Sequence, residues 1–535
     1  MTAGLERIAR MKSADAQCAL VQALMAPAAY PHPVEKVTLL ETHISYVLLT
    51  GQFAYKIKKV VNLGFLDFTR LDQRHYFCAE ELRLNRRFAP GLYLAVVAIG
   101  GSPPRVGSTD QPVEYAVKMR EFPQSALLDQ RLSQGELSPD QIDVLAERVA
   151  ELHAQVARAS IGDDWGSAAA VWRPVGENFR QLRETLPAVG DQGSGSAVLD
   201  ELEAWSRDAY ARLERFLSRR KQDGFVRECH GDLHLGNIAW LNDAPEIFDG
   251  IEFNANLRWI DVMSEVAFLV MDLEERGRPD YAYRFLSHYL EASGDYAGLQ
   301  VLPFYRVYRA LVRAKVACIR AAQEGLAAGQ AQAAICAQYL ACARRATLPG
   351  KPWLLLMHGL SGSGKTTVSQ RVVERLGALR LRSDVERKRL CGLDALARSG
   401  AKVDGGIYDA ETTRATYLCL VQLARQVLEA GFPVVVDAAS LKSWQREIFR
   451  GQARAQEVPF RLITCRAAEA TLRQRLQHRE EAGSDASDAS VSVLQHQLQS
   501  GDPLSDAEEA NAYFVAGGDD SLDSVLQEIK TEMER

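Results

Sequence analysis

The chain has 535 residues, too many for one hydrophobic core to keep growing, so length alone predicts two or more domains. With 47% of residues apolar and 25% charged, the composition is that of a folded globular protein and excludes wholesale disorder. A formal net charge of -6 excludes a global attraction to polyanions. The nine cysteines (Cys18, Cys78, Cys229, Cys318, Cys336, Cys342, Cys391, Cys419, Cys465) form no CxxC pair, which argues against a zinc ribbon or dithiol redox motif and fits reduced thiols.

The opening MTAGLERIARMKSADAQ carries charges where an export signal needs an apolar run, and no segment approaches ~18 uncharged apolar residues. The expectation is a cytoplasmic protein without membrane contact. Residues 37–61, VTLLETHISYVLLTGQFAYKIKKVV, hold two runs rich in Val, Ile, Leu, Tyr and Phe around Thr50-Gly51-Gln52, a hairpin signal. Residues 71–88, LDQRHYFCAEELRLNRRF, turn to helical periodicity and stop at Ala89-Pro90-Gly91. Strand-like runs at 92–99 and 113–119 are split by the turn-rich GGSPPRVGSTDQP. Beyond Glu121 the pattern is mainly helical, apart from apolar patches at 237–240 and 246–249. This predicts a small β-rich lobe over about 30–122, then a helical lobe over about 123–345. The stretch TLPGKP marks a linker at 346–352. In 353–535 the apolar runs WLLLMHG, FPVVVDA and FRLITC alternate with helical patterns, the signature of a parallel α/β sheet.

Gly359-Leu360-Ser361-Gly362-Ser363-Gly364-Lys365-Thr366, followed by Thr367, matches GxxxxGK[ST] between an apolar strand and a helix. Such a turn wraps backbone N–H groups around a nucleotide phosphate, Lys365 reaches the β- and γ-phosphates, and the Thr366 hydroxyl can hold magnesium. Asp437 closes the strand Val434-Val435-Val436, where a second acid would hold the magnesium water shell. The placement of Arg382-Ser383-Asp384-Val385-Glu386-Arg387 resembles the small-molecule and polynucleotide kinases of the P-loop class. That resemblance implies Asp384 as the base for the acceptor hydroxyl and Arg387 as a substrate or phosphate contact. Arg475 and Arg479 share a helical face. Their segment resembles the arginine-bearing lid helix of nucleotide and gluconate-type kinases, which neutralises charge on the transferred group.

His230-Gly231-Asp232-Leu233-His234-Leu235-Gly236-Asn237 has the H-x-D-x-x-x-x-N spacing of a kinase catalytic loop, with Asp232 as proton acceptor and Asn237 as magnesium ligand. Twelve residues on, Glu246-Ile247-Phe248 leads into Asp249-Gly250, where that pattern requires a second metal acid. Together these residues resemble the aminoglycoside phosphotransferase and choline kinase branch of the kinase-like fold, over roughly residues 30–340. The resemblance implies a bilobal fold, Mg-ATP, and a small polar hydroxyl acceptor such as an aminosugar or amino alcohol. It also implies that Asp261 braces the catalytic loop. A lysine on the third strand and a helical glutamate are required. Lys56 with Glu81 is the assignment, with Lys58 and Glu80 open. Thr42-His43-Ile44-Ser45 stands where protein kinases carry a glycine loop. His234 reads as a packing residue rather than a metal ligand.

The expected function is a bifunctional ATP- and magnesium-dependent phosphotransferase acting on small polar metabolites. Three other readings remain: a polynucleotide 5'-hydroxyl kinase at the C-terminal site, where alone nucleic acid enters; a nucleotide-operated switch with no acceptor; or a protein kinase or toxin-neutralising enzyme in the first lobe, against which the lack of an evident activation loop with an APE motif argues.

Overall fold

The computed structural model describes residues 14–62, 66–186, 194–323, 326–395, 397, 405–482, 490–516 and 519–533. The chain forms two compact units, each discontinuous in sequence. One takes the chain up to Ser138, Gln155–Asp272 and Tyr305–Ala343; the other takes Pro139–Ala154, Leu273–Phe304 and the chain from Arg344. The linker does separate helix Leu326–Ala346 from the next strand, which begins at Leu354. The packing units nevertheless divide the chain differently from a single cut at 346–352.

The first unit opens with strands β1 (Thr38–Glu41), β2 (Ser45–Leu49), β3 (Phe53–Lys58), β4 (Tyr93–Gly100), β5 (Arg105–Val106) and β6 (Glu114–Arg120). They form one antiparallel sheet in the order β1-β2-β3-β6-β4-β5. Alternation along β3 decides which face carries chemistry. Tyr55 and Ile57 join a core with Leu20, Val21, Leu24, Leu48 and Ile99. Ala54 packs with Cys78, Tyr93 and Val117, so Lys56 and Lys58 face the helix Leu71–Asn85.

Further along, β7 (Val226–Glu228) pairs with β10 (Trp259–Asp261), and β8 (Ile238–Leu241) pairs with β9 (Ala244–Ile247). Asn242 and Asp243 turn the β8–β9 hairpin at φ 51° and 60°, left-handed conformations that Asn and Asp tolerate best after glycine. This short hairpin returns the chain beside its start: Phe248 N–H donates to Asn237 O at 3.0 Å.

In the second unit, β11 (Leu354–His358), β12 (Leu379–Arg382), β13 (Val434–Asp437), β14 (Phe460–Arg466) and β15 (Ala512–Ala516) form a wholly parallel sheet ordered β12-β13-β11-β14-β15. Edge strand β12 carries the buried Arg380, and helix Pro279–Ser293 covers it. Arg380 N–H donates to Ser287 Oγ at 3.1 Å, and its guanidinium pairs with Glu291 at 2.8 Å. A buried arginine on an open edge needs a carboxylate and an acceptor beside it. That need accounts for residues 273–304 packing with the later sheet. Among the described residues, no helix is long and apolar enough to cross a membrane.

Two candidate phosphotransfer sites

In the first unit, Lys56 Nζ lies 2.9 Å from Glu81 Oε1 and also contacts Asp249 Oδ1. Lys58 Nζ lies 2.7 Å from the other oxygen of Glu81 and contacts Glu252. Burial pushes Glu81 up, but the two ammonium groups outweigh it and hold the carboxyl at about 2. Burial likewise opposes the charge on Lys56, and Asp249 with Glu81 overcomes it, holding the amine well above its ordinary value. Glu80 points elsewhere, to Arg83 at 2.7 Å and Arg258 at 2.9 Å. Of the two lysines, Lys56 reaches Asp249, whereas Lys58 is enclosed with only 1% of its side chain exposed. The Asp249 side chain remains 45% exposed, open to a further ligand.

The catalytic-loop motif is held rigidly. Gly231 has φ 90°, and a Cβ there would stand 2.7 Å from Leu257 O, so only glycine fits. His230 Nδ1 accepts from Asp232 N–H at 3.3 Å, which leaves Nε2–H to donate to Phe248 O at 2.8 Å. Asn237 Nδ2 donates to Asp232 O at 3.0 Å and to Asp232 Oδ2 at 3.2 Å. Desolvation pushes Asp232 up, but His234, Arg313 and His230 outweigh it, so its carboxyl lies well below the usual range. The residue expected to brace this loop is corrected. Asp261 is taken by Arg220 at 2.6 Å and by Met263 N–H at 2.9 Å. Glu265, one helical turn later, accepts from His230 N–H at 3.1 Å and Gly231 N–H at 2.6 Å.

Other contacts escaped sequence reasoning. Asn85 Oδ1 accepts from Gly250 N–H at 2.8 Å while its Nδ2 donates to Glu81 O, tying the glutamate helix to the Asp249 turn. Tyr93 OH accepts from Asp249 N–H at 3.0 Å. The available signal was a carboxylate within an apolar helix, VMSEVAFLVM, for Glu265.

In the second unit the glycine-rich turn joins β11 to helix Lys365–Leu376. A Cβ on Gly359 would stand 2.5 Å from Cys465 O, and one on Gly362 3.0 Å from Leu472 O. The turn therefore lies tightly against β14 and the helix Glu469–Ala482. Ser361 N–H donates to Gln497 Oε1 at 2.8 Å. Lys365 Nζ donates to Leu360 O at 2.9 Å. Among the described residues, the buried Ser363 Oγ and His358 Nδ1 have no hydrogen-bond partner. Burial, with Arg446 and Lys365, lowers His358 to about 4 and keeps the imidazole neutral. Asp437, at the end of β13, accepts from Ser369 Oγ at 3.2 Å, one turn beyond Thr366 and Thr367. The turn's donors, its orphaned hydroxyl and the adjacent acid fit a magnesium-bound triphosphate.

Asp384 lies in the first turn of helix Ser383–Leu390, directly after β12. Arg387 is buried and already engaged: it donates to Ile407 O at 3.0 Å and Thr413 Oγ1 at 3.1 Å, and lies over the Tyr408 ring. It holds the segment around Tyr408 rather than standing open to a substrate. Arg475 Nη1 donates to Gly362 O at 3.3 Å, which ties the helix Glu469–Ala482 to the glycine-rich turn. The Arg479 side chain lies outside the described residues.

Comparison with known proteins matches two separate stretches of the chain. The Phosphotransferase enzyme family matches residues 96–302, and a family described as an AAA domain matches residues 354–504. A protein of Mycobacterium tuberculosis (strain ATCC 25618 / H37Rv), described as uncharacterized, is 31% identical over 459 residues, covering 85% of this chain and 89% of its own length. A Mycobacterium bovis protein matches equally. Among solved structures, a choline/ethanolamine kinase family protein from Mesorhizobium loti aligns with 62% of this chain and 99% of its own, at 14% identity and TM-score 0.35. A gluconokinase from Sinorhizobium meliloti 1021 aligns with 35% and 94%, at 20% identity and TM-score 0.25. The chain belongs to the same family as these mycobacterial proteins, and it is itself a kinase that joins an aminoglycoside phosphotransferase-type domain to a P-loop kinase-like domain.

Proposed function

We propose that each domain transfers the γ-phosphoryl group of Mg-ATP to a hydroxyl acceptor, and that the two transfers are separate reactions. The observation that carries this reading is the meeting of Lys56, Glu81 and Asp249 beside the Asp232–Asn237 pair, from three distant stretches of sequence. In the first site, Lys56 oriented by Glu81 holds the α- and β-phosphates, and Asn237 with Asp249 holds magnesium. Asp232 receives the acceptor's proton. Its depressed pKa makes it a weak base that is ionised throughout the physiological range, which suits a loose transition state in which proton transfer comes late.

In the second site, the 359–364 turn cradles the phosphates and Lys365 neutralises them. Thr366 and Asp437 hold magnesium, Asp384 takes the acceptor proton, and Arg475 closes over the transferred group. Bound Mg-ATP would supply the phosphoryl group, and its metal ion would offset the charge on the phosphates.

The test is incubation of the full chain with γ-labelled ATP, magnesium and a pooled metabolite extract. Label in organic products supports the proposal; label in inorganic phosphate alone sinks it in favour of a nucleotide-operated switch.

A further inference from the structure

The resemblance to aminoglycoside and choline kinases implied an amine-bearing acceptor. A cationic acceptor needs carboxylates or open aromatic faces around the attacked hydroxyl. The helix beside the catalytic loop offers the opposite. Leu302–Gln323 reads LPFYRVYRALVRAKVACIRAAQ, with Arg306, Arg309, Arg313, Lys315 and Arg320 and no Asp or Glu. Arg309, Arg313 and Arg320 stand at i, i+4 and i+11, positions that return to one helical face.

That face runs along the site. Arg309 Nη1 donates to Gly231 O at 2.9 Å, fixing the residue before Asp232. Arg313 lies 3.4 Å from His234 Nε2, which itself stands 3.5 Å from Asp232 Oδ2. Its Nε donates to Tyr339 OH at 3.3 Å, which orients the guanidinium. Arg320 is exposed and lies two turns beyond Arg313 on the same face of this helix. Among the described residues, no carboxylate forms an ion pair with Arg313 or Arg320. The acids acting on Arg313 are Asp232, proposed here as the base, and Asp272, which accepts from Leu235 N–H at 3.0 Å. Asp129 also lies near the loop: its Oδ2 would be 3.6 Å from a Cβ on Gly236. It is the carboxylate a cationic acceptor would use.

We infer that the first site takes a hydroxyl acceptor bearing an anionic group, a carboxylate or a phosphate, with Arg313 and Arg320 as the residues that recognise it. This rests on the phosphotransferase reading of that site. In the reaction the acceptor oxygen forms a bond to the γ-phosphorus, the bond to the β,γ-bridging oxygen breaks, ADP leaves, and the hydroxyl proton passes to Asp232. The acceptor's anion is a handle and takes no part in bond making.

The experiment uses the full chain with Lys365→Ala, which silences the second site. A metabolite extract is split by ion exchange into anionic, neutral and cationic fractions, and each is offered with γ-labelled ATP. Label dependent on Asp232 should enter the anionic fraction. Phosphatase treatment of that fraction beforehand then separates the two sources: lost labelling means a phosphate handle, retained labelling a carboxylate. Arg313→Gln should raise the half-saturating amount of the fraction about tenfold or more, with the ATP half-saturation within about twofold, and Arg313→Lys should recover part of the loss. Arg320→Gln, at an exposed position, gives the same direction without risk to folding.

Labelling confined to the neutral or cationic fraction, above all if Asp129→Asn abolishes it, overturns the inference while leaving the kinase reading intact. A fall in turnover with unchanged acceptor half-saturation for both arginine variants also overturns it. Absence of Asp232-dependent label in every fraction removes the kinase reading and the inference together.

Discussion

The two sites meet the same electrostatic problem with different parts. The first gathers side chains from β3, the helix Leu71–Asn85, the catalytic loop and the β8–β9 hairpin, and balances buried lysines against buried carboxylates. The second uses one continuous glycine-rich turn packed closely against its neighbours, with a single lysine. A site of side chains fails when one charge is removed, because its partners are left buried and unpaired. A site of backbone fails when a Cβ is added.

Glu81→Gln should break the first kind of site most severely. Two lysines would lose their shared carboxylate, costing about 3–5 kcal/mol in unfolding of that unit together with its transfer activity. Chemical denaturation followed beside activity checks this; a loss of activity without loss of stability would mean the pair positions phosphate without supporting the fold. The same pair sets an acid dependence. The folded-state value of about 2 lies below the unfolded value of about 4.3, so the unfolded chain binds more protons between them. The Glu81 contribution is therefore complete above the upper value and is lost as pH falls through the lower. The stability gap between wild type and Glu81→Gln should narrow from pH 5 towards pH 2; a constant gap would contradict an ionised pair.

Gly359→Ala is the matching change at the second site. With φ 140° and Cys465 O only 2.5 Å from the new methyl, it should weaken ATP binding there by up to about a hundredfold and leave the first site unchanged. Titration with a fluorescent ATP analogue in each single-site background reads both. Glu265→Gln, which weakens two bonds to the catalytic loop without touching substrate, should lower first-site turnover about tenfold at little change in the Michaelis constant for ATP. Ser369→Ala should be mildest, a few-fold rise in the magnesium needed by the second site, because it removes one neutral bond to Asp437.

The contrast also explains what was legible in the sequence. The 359–366 turn is contiguous, and its flanking strand and helix are where periodicity puts them. Lys56 and Glu81 are separated by strand and helix, so the sequence narrowed each to two neighbours, and only the third dimension shows both lysines on Glu81 and Glu80 turned to Arg83 and Arg258. The family resemblance alone points to Asp261 as the brace; its actual partner, Arg220, lies 41 residues away in sequence, where no local pattern links the two. Strand β12, LRLR, alternates apolar residues with arginine and resembles no apolar run, yet Arg380 is buried because helix Pro279–Ser293 brings Glu291 to it. Such long-range compensation also makes the packing units cross the linker.

The most direct test of two separate phosphotransfer sites is product analysis after incubation with γ-labelled ATP, magnesium and metabolite extract, comparing wild type, Asp232→Asn and Lys365→Ala. Two labelled products, one missing from each variant by at least about a hundredfold, is the expected result. Loss of the same product in both variants, or of both products in either, would contradict it.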